Sequence, residues 1–123
     1  MGRMSREKGK VGEREIAALL RAHGFDARRG QQHRGGQDSP DVIHNVPGVF
    51  AEVKRREKYS VSDLQEWLEV ANRESDGPAP AIFHRRNHER WAVTMYADDF
   101  LALVAKLLPA VLRNPAPQRR PTT

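Results

Sequence analysis

The chain has 123 residues and no cysteine, and its 21 lysine and arginine residues outnumber its 16 aspartate and glutamate residues. This length suits one domain with its own core, and the lack of cysteine excludes disulfides and thiolate metal sites. The formal net charge of +5 and a sequence pI near 10.1 favour a polyanionic partner. No apolar run is long enough to cross a bilayer, and no apolar segment follows the first charges, so we expect neither membrane insertion nor secretion.

The first quarter of the chain predicts a basic arm and a helix. Residues 1–9 are basic and poor in apolar side chains, and we expect a flexible arm that could lie along a phosphate backbone. From about Lys10 to His23 the apolar residues recur at helical spacing. Glu13 falls on the apolar side of this helix. Its carboxylate could serve a site, or it could simply be favoured near the helix N-terminus by the helix dipole.

Three strands are predicted next. They cover residues 24–29, 40–46 and 49–56, and a Pro-Gly turn at residues 47–48 separates the last two. The intervening loop, residues 30–39, is rich in Gly, Gln, His and Arg and has no core residue. Such a loop can approach a ligand closely.

The second half predicts a helix at residues 60–73, a hairpin at 81–96 and a last helix that starts at Asp98 or Asp99. The element order is therefore α-β-β-β-α-β-β-α. We expect an α/β fold with a central mixed five-stranded sheet flanked by helices. The domain is expected to cover residues 10–113, and the Pro- and Arg-rich tail at 114–123 is expected to be disordered.

Two carboxylates and a lysine lie close together on the second and third predicted strands. Asp41 begins the short apolar run of one strand, and alternation along the next strand places Glu52 and Lys54 on the same face. Such a set can hold a hard divalent cation and orient a water. It can equally be a cross-strand ion pair on a solvated sheet face.

Basic residues surround these acids in the sequence, and arginine accounts for most of them, which suits bidentate phosphate contacts. The predicted DNA-contacting residues are Lys8, Lys10, Arg28, Arg29, Arg34, Arg55, Arg56 and Lys58. The histidines show no metal-binding spacing, and each is predicted to be an ordinary surface or sheet residue.

Four motifs in this order resemble the PD-(D/E)XK nuclease superfamily, and within it the archaeal-type Holliday junction resolvases. They are Lys8-Gly9 … Glu13-Arg14-Glu15, Gly24-Phe25 … Arg28-Arg29, Pro40-Asp41 and Glu52-Val53-Lys54. The resemblance covers roughly residues 6–96. The chain departs from the family pattern after Arg29, where Gly30-Gln31-Gln32 replaces a small hydroxyl residue.

The resemblance implies a restriction-endonuclease-like core and a site for Mg²⁺, for which Mn²⁺ could substitute. Glu13, Asp41 and Glu52 match the acidic metal-site positions, and the Val53 carbonyl would be a further ligand. Lys54 matches the catalytic lysine. Asp38 competes with Asp41 for its position, and we prefer Asp41 because it lies at the strand entrance.

The resemblance further implies a cytoplasmic endonuclease, in a prokaryotic or phage-infected cell, that resolves four-way DNA junctions by paired nicks. Two opposed cuts need two active sites, so a homodimer is expected. The second helix or the final hairpin is a candidate interface, although we predict that Trp67 and Trp91 are core residues. The alternatives are another nuclease of the superfamily, acting on duplex, flap or branched DNA, and a DNA-binding protein without catalysis.

Overall fold

The computed structural model describes residues 3–30 and 42–109, with side chains from Lys8 onward. Three helices and five strands follow one another in the predicted order. Their bounds are α1 Arg3–Ala22, β1 Ala27–Arg29, β2 Val42–His44, β3 Val49–Arg55, α2 Val61–Glu74, β4 Ala79–Arg85, β5 Ala92–Thr94 and α3 Ala97–Ala105.

Helix α1 is longer at its start than the sequence predicts. The helix begins at Arg3, so the backbone of residues 3–9, expected to be part of a flexible arm, is helical. An ion pair of 2.7 Å between Lys8 and Glu57 joins this part of α1 to the segment after β3. Because the partner lies 49 residues away, local composition could not reveal the contact. The helix ends at Ala22, and Gly24 just beyond it has a φ of 93°, which is easily adopted only by glycine.

The strands form two sheets, so the prediction of one central five-stranded sheet is wrong. In one sheet β1 pairs antiparallel with β2, and in the other β3 pairs parallel with β4, which pairs antiparallel with β5. Local bonds explain why β2 does not extend the larger sheet. The Asn45 N–H donates to the Asp26 carbonyl, the Val46 N–H donates to His44 Nδ1, and Pro47 has no N–H to donate. These groups are therefore not available for a ladder with β3.

Helix α2 connects the parallel strands β3 and β4. The Ser60 hydroxyl accepts from the Asp63 N–H, and the Asp63 carboxylate accepts from the Ser60 N–H, which makes a capping box. Beyond this start, Leu68 and Ala71 are buried and Leu64 and Trp67 are partly buried. The sequence of this helix has apolar residues at helical spacing, namely Val61, Leu64, Trp67, Leu68 and Ala71, which predicts one buried stripe. This stripe faces the sheet, except at its exposed first residue, Val61.

The two faces of β3 contribute to two separate cores. On one face Val53 packs with Ile16 and Val42 in a core that is covered by α1. On the other face Phe50 packs against the core of Leu68, Ala71 and Ile82 beneath α2. The predicted alternation along this strand is thereby confirmed.

Helix α3 starts one residue before the predicted Asp98. None of its residues is buried within the described part of the chain, although most are apolar. Leu103 lies near the turn at Gly48, where an added Cβ would approach Leu103 Cδ2 to 3.1 Å. The tail predicted at 114–123 lies outside the described residues. Among residues 3–30 and 42–109, no helix combines the length and apolarity that a membrane span requires.

Candidate active site

Strand β3 carries the two charged residues that are central to the predicted site. Lys54 Nζ lies 4.0 Å from Glu52 Oε2, and both side chains are about one-fifth exposed, at 22% and 19%. Lys54 Nζ also lies 5.5 Å from the centroid of the Trp67 ring, on α2. The pair therefore lies on the α2 face of β3, partly shielded from water, where opposite charges attract more strongly than in bulk solvent.

Glu13 lies on helix α1, which packs on the face of β3 opposite to the Glu52–Lys54 pair. Its side chain is only 14% exposed. Arg29 Nε donates a hydrogen bond of 2.8 Å to Glu13 Oε1. This charge-assisted hydrogen bond joins α1 to β1. Arg29, predicted to contact phosphate, is thus positioned beside one of the predicted metal-ligating acids.

Gly12 brings α1 unusually close to β3, and sequence reasoning missed this residue. A Cβ at Gly12 would lie 2.9 Å from Arg55 Cβ and 3.3 Å from both Val53 Cγ1 and Trp91 Cη2. Only a residue without a side chain fits here. The approach brings the α1 backbone against the part of β3 that carries Val53, while the side chain of the next residue, Glu13, is bonded to Arg29 on β1.

The predicted acidic cluster is described only in part. Asp41 lies outside the described residues, while Val42, its chain neighbour, is buried against the core that includes Ile16 and Val53. Within residues 3–30 and 42–109, no three His, Asp or Glu side chains group closely enough to hold a metal ion. The donor chemistry of the acids that are described, Glu13 and Glu52, is all oxygen and suits a hard cation such as Mg²⁺.

The predicted DNA-contacting residues differ in whether their charged groups are paired, buried or exposed to solvent. Lys8 is paired with Glu57, and Arg34 lies outside the described residues. Arg55 points into the α1 side of β3, where its Nε and Nη1 are enclosed without a hydrogen-bond partner in the described structure. Exposed or partly exposed side chains belong to Lys10, Arg28, Arg56 and Lys58.

The comparison with protein families agrees with the resemblance seen in the sequence. The family described as archaeal Holliday junction resolvase (Hjc) matches residues 4–100. The chain belongs to this resolvase family. Membership implies a nuclease with a role in DNA recombination and repair.

One solved structure to which the fold is similar is Hjc, a Holliday junction resolvase from the archaeal hyperthermophile Archaeoglobus fulgidus. The two chains are 19% identical, the alignment covers 68% of this chain and 72% of that chain, and the TM-score is 0.46. No curated protein matches the chain.

A buried histidine in this resolvase-family protein was predicted to be an ordinary surface or sheet residue. His84 is 9% exposed, and its two ring nitrogens are hydrogen-bonded to the Tyr59 hydroxyl and to Thr94 Oγ1, each at 2.9 Å. Burial lowers the pKa of His84, which keeps the ring neutral near pH 7. The Tyr59 ring contacts the Trp67 ring at 5.5 Å, so this network reaches the neighbourhood of Lys54.

A second network joins α1 to β4 and to Trp91, the residue before β5, and no local pattern in the sequence predicts it. Arg85 Nε and Nη2 donate to the two oxygens of Glu15 at 3.0 and 3.2 Å, and Trp91 Nε1 donates to Glu15 Oε1 at 2.8 Å. The bidentate bond with Arg85 is the main cause that lowers the pKa of Glu15. Both tryptophans are partly buried and packed against the cores, as predicted.

Proposed function

We propose that the protein is a metal-dependent endodeoxyribonuclease that resolves four-way DNA junctions by paired symmetric nicks. The family match over residues 4–100 supports this function. The observation that carries the proposal to particular residues is the partly buried Glu52–Lys54 pair on one face of β3. Action in the cytoplasm of a prokaryotic or phage-infected cell is part of the same proposal.

The metal in this proposal is Mg²⁺, with Mn²⁺ as a substitute. Glu13, Asp41, Glu52 and the Val53 carbonyl would hold the ion. When bound, it would supply a Lewis acid for the phosphate and lower the pKa of a bound water. A chain without cysteine offers oxygen and imidazole donors only, which favours this class of ion over thiolate-bound metals.

The side chains of the protein have separate parts in the proposed reaction. Lys54 would stabilise the negative charge that develops on the phosphate, since its amine already lies beside Glu52. Arg29 would bind the phosphate backbone from β1 while it holds Glu13 by the 2.8 Å hydrogen bond. Exposed Arg28 and Arg56 would add phosphate contacts that confer affinity without sequence preference.

The proposed enzyme is a homodimer, because two opposed strands of a nearly two-fold symmetric junction must be cut. An apolar surface on α3 supports self-association. Phe100, Leu101 and Val104 are between 41% and 61% exposed. Such a patch on a single chain is unfavourable in water, and a second copy could cover it. The α3 surface is a candidate in addition to the second helix and the final hairpin, whose tryptophans Trp67 and Trp91 pack inward.

The proposal is tested with Glu52→Gln, which keeps the side-chain shape and removes the charge. We expect cleavage of a fixed four-way junction to fall by about 100-fold or more while junction affinity is retained, because charge at the reacting centre is lost. The control is Glu66→Gln, an exposed acid on the outside of α2. Wild-type, Glu52→Gln and Glu66→Gln proteins are compared with and without Mg²⁺.

Parallel assays on duplex, flap and single-stranded DNA examine the choice of substrate. Paired nicks restricted to the junction support resolution. Equal cutting of duplex or flap DNA would favour another nuclease activity of the superfamily. Normal cleavage by Glu52→Gln would contradict the assigned site, and binding without any cleavage by wild type would favour a non-catalytic DNA-binding protein.

A further inference from the structure

Trp67 contacts the predicted catalytic amine from the neighbouring helix. Lys54 Nζ lies 5.5 Å from the centroid of the indole ring and 4.0 Å from the Glu52 carboxylate. A cation near the face of an indole ring is attracted by the electron density of the ring. A lysine has four rotatable side-chain bonds, and two attractive contacts reduce the number of positions that its amine occupies.

The Trp67 ring also lies close to a second cation, the guanidinium of Arg56. Arg56 Cζ lies 5.8 Å from the ring centroid, and Arg56 follows β3 directly. Arg56 is exposed, whereas Lys54 is mostly covered. One ring therefore orders an inner amine beside a carboxylate and an outer guanidinium that is accessible to a phosphate.

The ring of Trp67 is itself held in place by an aromatic and hydrogen-bonded network. Tyr59 packs against Trp67 at a tilt of 52°, and its hydroxyl is bonded to His84. His84 stands edge-on to Tyr59 at 5.3 Å and is bonded through its other nitrogen to Thr94. His84 is also the register partner of Lys54 across the parallel β3–β4 pair. The network therefore connects the Trp67 ring, through Tyr59, to His84, the β4 residue that is paired with Lys54.

We propose that Trp67 is a positioning residue for the nuclease centre: its indole holds the Lys54 amine beside Glu52, and the Tyr59–His84–Thr94 network fixes the indole. The inference rests on the proposed nuclease function. It assigns to α2 a part in catalysis that none of the four sequence motifs contains.

The first test follows the amine directly. The protein has five lysines, so reductive methylation with ¹³C, which keeps the positive charge, gives few NMR signals. Loss of a signal in Lys54→Arg assigns the resonance. We expect Trp67→Leu to remove the ring-current shift from the Lys54 signal and leave Lys106 unchanged, while Trp67→Phe keeps part of the shift. An unchanged Lys54 signal in Trp67→Leu would overturn the inference.

The second test measures single-turnover cleavage of a four-way junction at saturating protein. We expect Trp67→Leu to cut about tenfold more slowly, because a shielded cation–π contact that positions the Lys54 amine is lost. Trp67→Phe should recover most of the rate. Trp91→Phe is the matched control, since Trp91 lies 5.5 Å from the guanidinium of Arg85, a cation outside the proposed centre.

The outcomes separate the two proposals. A wild-type rate in Trp67→Leu, or an equal loss in Trp91→Phe at temperatures where both variants are folded, would overturn the positioning role and leave the nuclease assignment intact. If wild type cuts no junction with Mg²⁺ or Mn²⁺ while the Lys54 signal still depends on Trp67, the proposed function fails, and with it the catalytic meaning of the contact.

Discussion

The two faces of β3 differ in what their tryptophans do. On the α1 face, Trp91 donates to Glu15 and lies beside Arg85. Arg85 is itself bonded to Glu15, and this bond joins β4 to α1. On the α2 face, Trp67 lies beside Lys54, whose amine is near Glu52. The same kind of contact, a cation near an indole, therefore stabilises the fold on one side and organises the proposed reaction centre on the other.

This difference shows why contact type alone does not identify a functional residue. The cation beside Trp91 is already satisfied by two hydrogen bonds to a carboxylate. The amine beside Trp67 lies 4.0 Å from its carboxylate, beyond hydrogen-bond distance, so it keeps donors for a phosphate. Three changes on or near β3 test whether the two faces are as different as the structure indicates.

The largest effect is expected at Gly12, on the α1 face. Gly12→Ala should destabilise the protein by about 1–3 kcal/mol, because the new Cβ meets Arg55 Cβ at 2.9 Å and must push the helix away from the strand. Thermal and denaturant unfolding measure the change. Gly9→Ala is the control in the same helix, where an added Cβ meets nothing within 4 Å. It should be stabilising by about 0.5–1 kcal/mol from helix propensity. Equal effects at the two glycines would refute the close approach.

A smaller loss of stability is expected from Trp91→Phe. The substitution keeps an aromatic ring but removes the N–H that donates to Glu15 at 2.8 Å. We expect a cost of about 1 kcal/mol in unfolding free energy, typical of one hydrogen bond to a charged group that is partly exposed. Junction cleavage well below the melting temperature should be unchanged. A large loss of cleavage without loss of stability would mean that both faces serve the reaction.

The smallest effect is a pH dependence that originates on the α2 face. Burial lowers the pKa of His84, and Glu89 opposes this shift. The unfolded chain therefore binds a proton more readily than the folded one, so stability that is present above about pH 6.5 is lost as the pH falls through the folded pKa. Unfolding free energies of wild type and His84→Gln between pH 5 and pH 7.5 measure this contribution.

His44 must be considered in the same experiment, because burial lowers its pKa as well. His44→Gln and the double variant separate the two contributions. We expect each single variant to flatten part of the decline at low pH and the double variant to flatten more of it. An unchanged slope in His84→Gln would show that protonation of this ring is not coupled to folding.

The sequence was sufficient to predict those features that depend on local spacing. Alternation along residues 49–55 identified the two faces of β3, and the spacing of Leu64, Leu68 and Ala71 identified the buried side of α2. The family motifs likewise needed only residue order, and the family match confirmed the resemblance.

The features that were missed depend on contacts between distant parts of the chain. One large sheet was predicted because a central sheet flanked by helices is the usual packing for this element order. The Asn45 N–H instead bonds to Asp26 on the β1 side, and the Val46 N–H bonds to His44, so neither is available for a ladder with β3. The Tyr59–His84–Thr94 network combines residues from a loop and two strands. The roles of Asp41, Glu52 and Lys54 in the candidate site stay predictions from the motif pattern.

The capping box at Ser60 has a consequence for the orientation of α2. The reciprocal bonds between Ser60 and Asp63 make Ser60, the residue after Tyr59, the N-cap, and the helix therefore starts at Val61. Each residue of an α-helix advances the side-chain direction by about 100°. A start displaced by one residue would therefore rotate Trp67 by that angle about the helix axis and away from Lys54. The two hydrogen bonds between Ser60 and Asp63, at a solvent-exposed helix end, therefore determine the direction in which the Trp67 ring points, two turns further along the helix.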